Sequence, residues 1–292
     1  MTRGRSTVTV AAVDEWGNRS SRAIAVSRAV AALPPVAPQA RTAPPARTDP
    51  FSNIHFGRYH ALVIGNNAYR NFNRLQTAEA DARSVARTLR ELYGFEVALV
   101  LNATRNDLIT ALTQMRARLT PDDNLLIYYA GHGTLDAVAD QGYWLPVDAD
   151  ADIPTNWVST SDITVMVRAI RAKHVLVVAD SCYSGTLVRS APTHIKTAAA
   201  RHAWLKRMSG KRSRTALVSG GLEPVLDGGG SGHSVFAKSF LDALTENSSV
   251  LDGQALFDRI KRPVVVNSDQ TPQYSDLRRA GHDGGDFLFV RR

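Results

Sequence analysis

The sequence has a single cysteine, and this scarcity excludes two broad classes of protein. One cysteine cannot form a disulfide within the chain or supply a metal site made of several thiolates, so a disulfide-stapled scaffold and a multi-cysteine zinc domain are both excluded. A chain of 292 residues, 44% of them hydrophobic and 21% charged, can bury a large core without such staples. The composition therefore predicts a globular protein.

Long hydrophobic runs are also missing. No apolar stretch approaches the roughly 18 residues that span a bilayer, so we expect neither a membrane-spanning helix nor a membrane partner. The basic first six residues are followed by alternating residues rather than by a continuous apolar segment, which is not a signal-peptide pattern. The compartment stays open between the cytoplasm and export to the periplasm or beyond, the latter if an upstream region carries a signal.

Acidic residues are absent between Asp180 and Glu223, where basic residues accumulate. The basic residues are Arg189, Lys196, Arg201, Lys206, Arg207, Lys211, Arg212 and Arg214. They can account for the whole net charge of +8, and only Trp204 interrupts them as an aromatic residue, so we do not expect a nucleic-acid partner. We interpret residues 186–214 as an exposed, cleavable connector between two halves of one domain.

The first 57 residues differ in composition from the rest. Strand-like alternation on both sides of turn residues at 14–18 predicts a β-hairpin within residues 1–30. Two strands alone are marginal in water, so the hairpin either packs on the main domain or is the remnant of a module, and it resembles the last strands of immunoglobulin-like modules. Residues 31–57, which are rich in proline, are predicted to form a semi-rigid linker.

From about residue 58, short apolar runs alternate with segments of helical periodicity. Strands are predicted at 60–65, 95–101, 124–130, 174–179, 215–219 and 286–290, and helices at 78–93, 105–119, 161–172, 234–244 and 253–261. Runs that are apolar on both faces and alternate with helices predict an α/β fold with a mainly parallel sheet covered on both sides. Functional groups in such folds lie beyond the carboxyl ends of the strands.

Two short motifs follow predicted strands at their carboxyl ends. A Gly-His-Gly sequence centred on His132 follows the strand that ends at Ala130, and an Asp-Ser-Cys sequence ending on Cys182 follows the strand that ends at Ala179. A nucleophilic cysteine needs a nearby base, and a histidine between two glycines has a side chain that is free to project. A lone buried cysteine and a lone polar histidine are usually structural. Their shared context at strand ends favours a catalytic dyad instead.

This pair resembles the catalytic pair of the caspase–metacaspase superfamily of cysteine peptidases, particularly its bacterial members. In caspases the histidine lies about 50 residues upstream of the cysteine, as it does here. Further similar segments, between about residues 58 and 290, are His60–Asn67, Ala80–Ala82, Tyr129–Gly133, Gly142–Asp148 and Asp180–Gly185. The resemblance implies a caspase-like three-layer sandwich over residues 58–292. It divides into a large-subunit-like part (58–185), the connector (186–214) and a small-subunit-like part (215–292).

The resemblance also implies roles for individual residues. Cys182 would attack the scissile carbonyl, His132 would assist proton transfer, and the backbone N–H groups of Gly133 and Cys182 would form the oxyanion hole. Asp81 and Asp180 would line a pocket for a cationic side chain. Substrates would then be proteins or peptides cleaved after Arg or, less readily, Lys, and the chain could process itself within the connector. Otherwise Asp81 caps its helix and Asp180 bonds nearby amides.

No cofactor is expected, and a monomer is favoured. Calcium-dependent metacaspases carry an aspartate seven residues after the cysteine, where this chain has Arg189, which would repel a cation. Two other functions remain open. One is an inactive, caspase-like interaction module, which the presence of both Cys182 and His132 disfavours. The other is a hydrolase or transferase that uses the same dyad on a substrate other than a peptide.

Overall fold

The computed structural model describes residues 5–13, 19–27, 51, 53–181, 197–220 and 232–292. The chain divides into two compact units, Met1–Thr48 and Asp49–Arg292. In the first unit, β1 (Arg5–Val13) pairs with β2 (Arg19–Ser27) in an antiparallel ladder, which confirms the predicted hairpin. The proline-rich part of the expected linker, residues 31–50, lies outside the described residues.

The second unit is built around a sheet that has six strands in the described part of the chain. In spatial order these are β12 (Gln273–Asp276), β10 (Ser213–Val218), β9 (His174–Asp180), β5 (Asp123–Ala130), β3 (Arg58–Gly65) and β4 (Glu96–Leu101). All neighbours pair in parallel except β10 and β12, which are antiparallel. The mainly parallel sheet is confirmed, and β12 is an edge strand that the sequence pattern did not predict.

Helices cover both faces of this sheet, so the predicted three-layer sandwich is confirmed. One face carries α1 (Ala78–Tyr93), α5 (Val235–Glu246) and α6 (Gly253–Asn267), and the other carries α2 (Arg105–Arg118) and α3 (Thr160–Ala169). Strand alternation separates the two cores, because Tyr128 packs with the first group of helices while Tyr129 packs with the second. Within the described residues, no helix has the length and apolar character needed to cross a bilayer.

Local chemistry sets the ends of two helices where the sequence predicted them. Thr104 caps α2 through a reciprocal capping box with Asp107. Gly94 ends α1 in the left-handed conformation with a φ of 66°, which favours a residue without a β-carbon. These two caps place the α1 and α2 boundaries within one residue of the periodicity-based prediction.

Several short strands form two smaller sheets. β6 (Gly133–Asp136), β7 (Gln141–Trp144) and β8 (Val158–Ser159) make an antiparallel sheet directly after His132. β11 (Val250–Asp252) pairs with β13 (Leu288–Val290), so the last predicted strand lies outside the central sheet. Alternation cannot be recognised over so few positions, which explains why most of these strands were not predicted.

The structure differs from the expected exposed connector in its second half. Residues 198–210 form α4 (Ala198–Gly210), which begins where the Thr197 side chain accepts a hydrogen bond from the Ala200 N–H. Leu205 and Met208 are buried against Ile54 and other residues of the second unit. Alanine, arginine and lysine are good helix formers, so a strongly basic segment need not be a loop. Residues 186–196 lie outside the described residues.

Arg214, the last residue of the expected connector, is fully buried. Its guanidinium donates to the backbone carbonyls of Ile170, Ala172 and Lys173 at 2.8–3.0 Å. Burial and the neighbouring Arg212 lower its pKa to about 9. Arg214 therefore ties the loop between α3 and β9 to the start of β10.

The residues just before β3 also belong to the second unit. Ile54 is 7% exposed and packs with Leu205 and Leu288. The last part of the expected linker, residues 53–57, thus contributes to the packed unit rather than connecting to it.

Candidate active site

The two predicted catalytic motifs begin side by side at the carboxyl edge of the sheet. β5 and β9 are neighbours, and their register pairs Ala130 with Asp180. The Gly131 N–H donates to the Asp180 carbonyl at 3.3 Å, which continues the pairing by one residue. In the chain, His132 is two residues beyond Ala130, and Cys182 is two residues beyond Asp180. The two motifs therefore leave adjacent strands at matching positions.

The predicted nucleophile, Cys182, lies outside the described residues. The preceding residue, Ser181, is buried, and its carbonyl oxygen accepts a hydrogen bond from the Ser219 hydroxyl at 3.4 Å. Ser219 follows β10, the next strand of the sheet. The chain is thus held at the end of β9 up to the residue before the cysteine.

The His132 imidazole is oriented by a backbone carbonyl and by an aromatic ring. Its Nε2 lies 2.8 Å from the carbonyl oxygen of Asn73, and the ring centroids of His132 and Tyr69 are 4.5 Å apart. A carbonyl oxygen only accepts hydrogen bonds, so the neutral ring carries its proton on Nε2 and keeps Nδ1 as the basic nitrogen. Sequence reasoning missed this third group because a backbone carbonyl leaves no residue signature.

Two tyrosines fix the backbone around His132. The Tyr69 hydroxyl accepts from the His132 N–H, and the Tyr129 hydroxyl donates to the His132 carbonyl, both at 2.7 Å. A β-carbon on Gly131 would lie 2.6 Å from the Tyr69 hydroxyl and 2.9 Å from the Tyr129 hydroxyl. The glycine before the histidine is therefore needed for the close approach of these hydroxyls. On the other side, Gly133 begins β6 and pairs with Trp144.

The two predicted specificity carboxylates line one crevice. Asp81 in α1 and Asp180 at the end of β9 are each 1% exposed. The crevice is narrow, and its other walls are Leu75, Thr77, Ala78, Ala130 and Gly131. The structure therefore brings Asp81, Asp180 and the Gly-His-Gly motif together, although the two aspartates are 99 residues apart in the chain (180 minus 81).

Asp81 lies in the first turn of α1, and its carboxylate bonds to residues of another segment. Its Oδ1 lies 2.5 Å from Nδ1 of His233, and its Oδ2 accepts a hydrogen bond from the Ser234 N–H at 3.3 Å. Burial raises the pKa of Asp81, and hydrogen bonds from His233, Ser234 and Thr77 offset part of that rise. Asp81 thus connects α1 to the two residues that immediately precede α5.

Asp180 is also held by Ser234, the N-cap residue of α5. The Ser234 hydroxyl lies 2.5 Å from Oδ2 of Asp180, and the Ser234 side chain also accepts from the Ala237 N–H as the N-cap of α5. The positive end of the α5 dipole therefore faces both carboxylates, which favours their ionised forms. The sequence indicates that Ser234 caps a helix. It carries no signal for the contacts that Ser234 makes with aspartates 54 and 153 residues away.

A larger cleft lies elsewhere, between α4, α6 and β12. It has a cavity volume of about 530 Å³ and contains none of the predicted site residues. Asp286 lines it and bonds the hydroxyl of Tyr274, and burial together with the neighbouring Asp252 raises the pKa of Asp286 to about 7. This cleft is the larger of the two candidate active sites, but the residues expected to carry the chemistry at the strand ends line the smaller crevice.

Within the part of the chain that the structure describes, no group of three or more His, Cys, Asp or Glu side chains is arranged to hold a metal ion. Arg189, on which the expected independence from calcium depends, lies outside the described residues.

Comparison with known protein families decides the identity of this fold. The sequence model of the caspase domain matches residues 58–280. The chain belongs to the caspase-domain family of cysteine peptidases. The matched range includes the Gly-His-Gly and Asp-Ser-Cys motifs and both crevice aspartates, Asp81 and Asp180, and it confirms the family suggested by the sequence.

Individual relatives of this caspase domain are metacaspases. Metacaspase-1B of Aspergillus terreus is 29% identical over 152 residues, which is 44% of this chain and 39% of that protein. Metacaspase-1 of Saccharomyces cerevisiae is 30% identical over 152 residues, which is 45% of this chain and 34% of that protein. The chain thus spans well under half the length of these relatives.

A solved structure shows the same fold. The crystal structure of a protein from Geobacter sulfurreducens matches with a TM-score of 0.53 and 20% identity, over 75% of this chain and 92% of that chain. This likeness supports the caspase-like sandwich described above and carries no information about substrate.

Proposed function

We propose that this chain is a cysteine endopeptidase that cleaves proteins or peptides after basic residues, with Arg preferred over Lys. Membership of the caspase-domain family supports the peptidase activity. The observation that carries the specificity is the pair of buried carboxylates, Asp81 and Asp180, in one crevice beside the Gly-His-Gly motif. A guanidinium can engage them with paired hydrogen bonds, whereas an acidic side chain would meet two like charges.

The proposed reaction begins at Cys182. Its thiolate forms a bond to the scissile carbonyl carbon, and the carbonyl oxygen becomes an oxyanion bound by the N–H groups of Gly133 and Cys182. Collapse of this intermediate breaks the C–N bond, and the His132 imidazolium gives its proton to the leaving amine. A water molecule then attacks the thioester while His132 takes up one of the water's protons, and the C–S bond breaks to release the acid product and the Cys182 thiolate.

The surroundings of His132 support this role. The Asn73 carbonyl holds Nε2, so Nδ1 is the nitrogen available for proton transfer. Hydrogen bonds with the Tyr69 and Tyr129 hydroxyls hold the backbone of His132 in place and so restrict the position of its ring.

The specificity is tested with fluorogenic peptides that differ only in the residue before the cleaved bond, Arg, Lys or Asp. The wild-type chain should cleave Arg peptides fastest, and Cys182→Ala or His132→Ala should lower turnover by several orders of magnitude, because nucleophile and base act as a unit. Asp180→Asn should lower kcat/KM for Arg peptides most. Asp136→Asn, which changes an exposed aspartate near the site, is the matched control.

Three results would contradict the proposal. Preferred cleavage after Asp would show that the crevice binds an acidic side chain and not a basic one. Unchanged cleavage after Arg in Asp180→Asn would show that the Asp180 carboxylate does not contribute to substrate recognition. Peptide binding without any cleavage would instead favour the interaction-module alternative.

A further inference from the structure

The crevice combines two buried carboxylates with one imidazole beside them. Asp81 and Asp180 are each 1% exposed, whereas the side chain of His233 is 26% exposed. Like charges that are buried close together oppose each other's ionisation. Before a substrate binds, a positive charge close to the two carboxylates is therefore needed to keep both of them ionised.

His233 contacts Asp81 without lining the crevice itself. Its Nδ1 lies 2.5 Å from Oδ1 of Asp81, and the adjacent Ser234 N–H holds the other oxygen. Among the described residues that line the crevice, Asp81 is present and His233 is not. Asp81 thus lines the crevice while the two residues that precede α5 hold its carboxylate in place.

The other titratable group that faces the pair cannot supply the positive charge. Tyr128 of β5 is fully buried, and burial together with the charges of Asp180 and Asp81 raises its pKa well above the ordinary tyrosine value. A phenol is neutral below its pKa, so Tyr128 contributes no charge at neutral pH. Within the described part of the chain, His233 is the basic side chain that forms an ion pair with Asp81.

We propose that His233 is a positioning residue, which as an imidazolium orients Asp81 and acts as the resident counter-ion of the cation pocket. This inference rests on the proposed function, because it explains how the same two carboxylates take a basic side chain. Two carboxylates and one imidazolium leave one net negative charge. A single guanidinium or ammonium group from the substrate neutralises it.

The proposal predicts a specific kinetic signature. Without the imidazolium, Asp81 ionises less readily, since the charge of His233 lowers the pKa of Asp81 in addition to the hydrogen bond between them. Binding of a basic side chain should then weaken, while the chemistry at Cys182 should proceed as before. The acidic limb of the kcat/KM profile for Arg peptides should move to higher pH.

The test compares three variants of the full chain. His233→Gln keeps a hydrogen-bond donor but loses the charge, and His233→Lys keeps a positive charge. His55→Gln is the matched control, because it changes an exposed histidine whose Nε2 lies 2.8 Å from Asp122, away from the crevice. Each is assayed for kcat and KM against pH with an Arg peptide. The cysteine is also labelled with iodoacetamide and with an electrophile that carries an Arg peptide.

His233→Gln is expected to raise KM by about tenfold, the usual size of a charge-assisted contact, with little change in kcat. It should slow labelling by the Arg-peptide electrophile and leave iodoacetamide labelling unchanged. His233→Lys should restore most of the affinity, and His55→Gln should match the wild type.

A wild-type KM and pH profile in His233→Gln would overturn the inference while leaving the proposed function intact. Equal slowing of both labelling reagents, or no rescue by lysine, would also overturn it, because that pattern indicates a structural role. A wild-type chain that cleaves peptides but ignores Arg and Lys would reject the proposed specificity, and this inference with it.

Discussion

The Ser234 hydroxyl lies 2.5 Å from Oδ2 of Asp180, and the same side chain caps α5. One serine therefore joins the end of the strand that leads to Cys182 to the start of a helix on the sheet face. The carboxylate of Asp81 in α1 accepts a hydrogen bond from the backbone N–H of the same serine. Changes at Ser234 should consequently affect both folding stability and substrate binding.

We predict that Ser234→Ala lowers the free energy of unfolding by about 1–2 kcal/mol, because it removes a helix cap and a hydrogen bond to a buried carboxylate. It should also raise KM for Arg peptides. Ser159→Ala is the matched control, since Ser159 caps α3 without contacting the crevice aspartates. Urea unfolding and steady-state kinetics check both effects. A KM that changes equally in the two variants would contradict the assignment.

Tyr69→Phe should lower kcat by about tenfold, because the part-buried N–H of His132 loses its acceptor and the backbone beside the imidazole loses a constraint. KM should change little, since Tyr69 does not line the crevice of the two aspartates. Tyr143→Phe, which removes the hydroxyl of a tyrosine that packs on Trp157, serves as the control. A kcat equal to that of the control would show that the hydrogen bond is dispensable.

Asp286 should make stability depend on pH. Its pKa in the folded chain is about 7 because of burial and the neighbouring Asp252, whereas an unfolded aspartate ionises near pH 4. Between these values the folded state holds a proton that the unfolded state has lost, so stability falls as pH rises from about 4 to about 7. Above that window, ionised Asp286 costs the fold a few kcal/mol.

The measurement is the melting temperature of wild type and Asp286→Asn from pH 4 to pH 8. The difference between the two curves should change across this window and level off above it, with the variant gaining relative stability as pH rises. Asp283→Asn, at an exposed aspartate nearby, should parallel the wild type. Parallel curves for Asp286→Asn would mean that the carboxyl ionises normally in the folded state.

Self-cleavage, if the proposed specificity holds, should fall within residues 186–197 rather than throughout the expected connector. Arg201, Lys206 and Arg207 lie in α4, and a peptidase needs an extended backbone at the bond that it cuts. New N-termini should therefore follow Arg189 or Lys196. Cys182→Ala is the control, because it should remain uncut. Cleavage inside α4 in the wild type would show that the helix opens readily.

A calcium chelator should leave the activity unchanged. The expectation rests on Arg189, a positive charge at the position where calcium-dependent metacaspases carry an aspartate. Activity toward an Arg peptide is measured with and without chelator, then after Ca²⁺ is added back. Loss with the chelator and recovery with Ca²⁺ would overturn the expectation.

Much of the sandwich was predictable because its signals are local. The apolar run before Ala130 and the periodic residues of α1, ended by Gly94, depend on neighbours within a few positions. Helix α4 was misinterpreted because its basic composition suggested a solvated loop, whereas burial of Leu205 depends on Ile54 and Leu288, far away in the chain. Arg214 is a similar case, since the carbonyls that surround it carry no residue signature.

The sequence by itself determined which residues stand at the strand ends, including His132, Asp180 and Cys182, because a motif and its spacing are written in the chain. Only the tertiary structure decided how some of these groups are held. The Asn73 carbonyl on His132, and His233 and Ser234 on the two aspartates, are contacts between segments 54 to 153 residues apart. The contacts of His233 and Ser234 follow from the packing of α1 and α5 on one sheet face, and no local pattern encodes such packing.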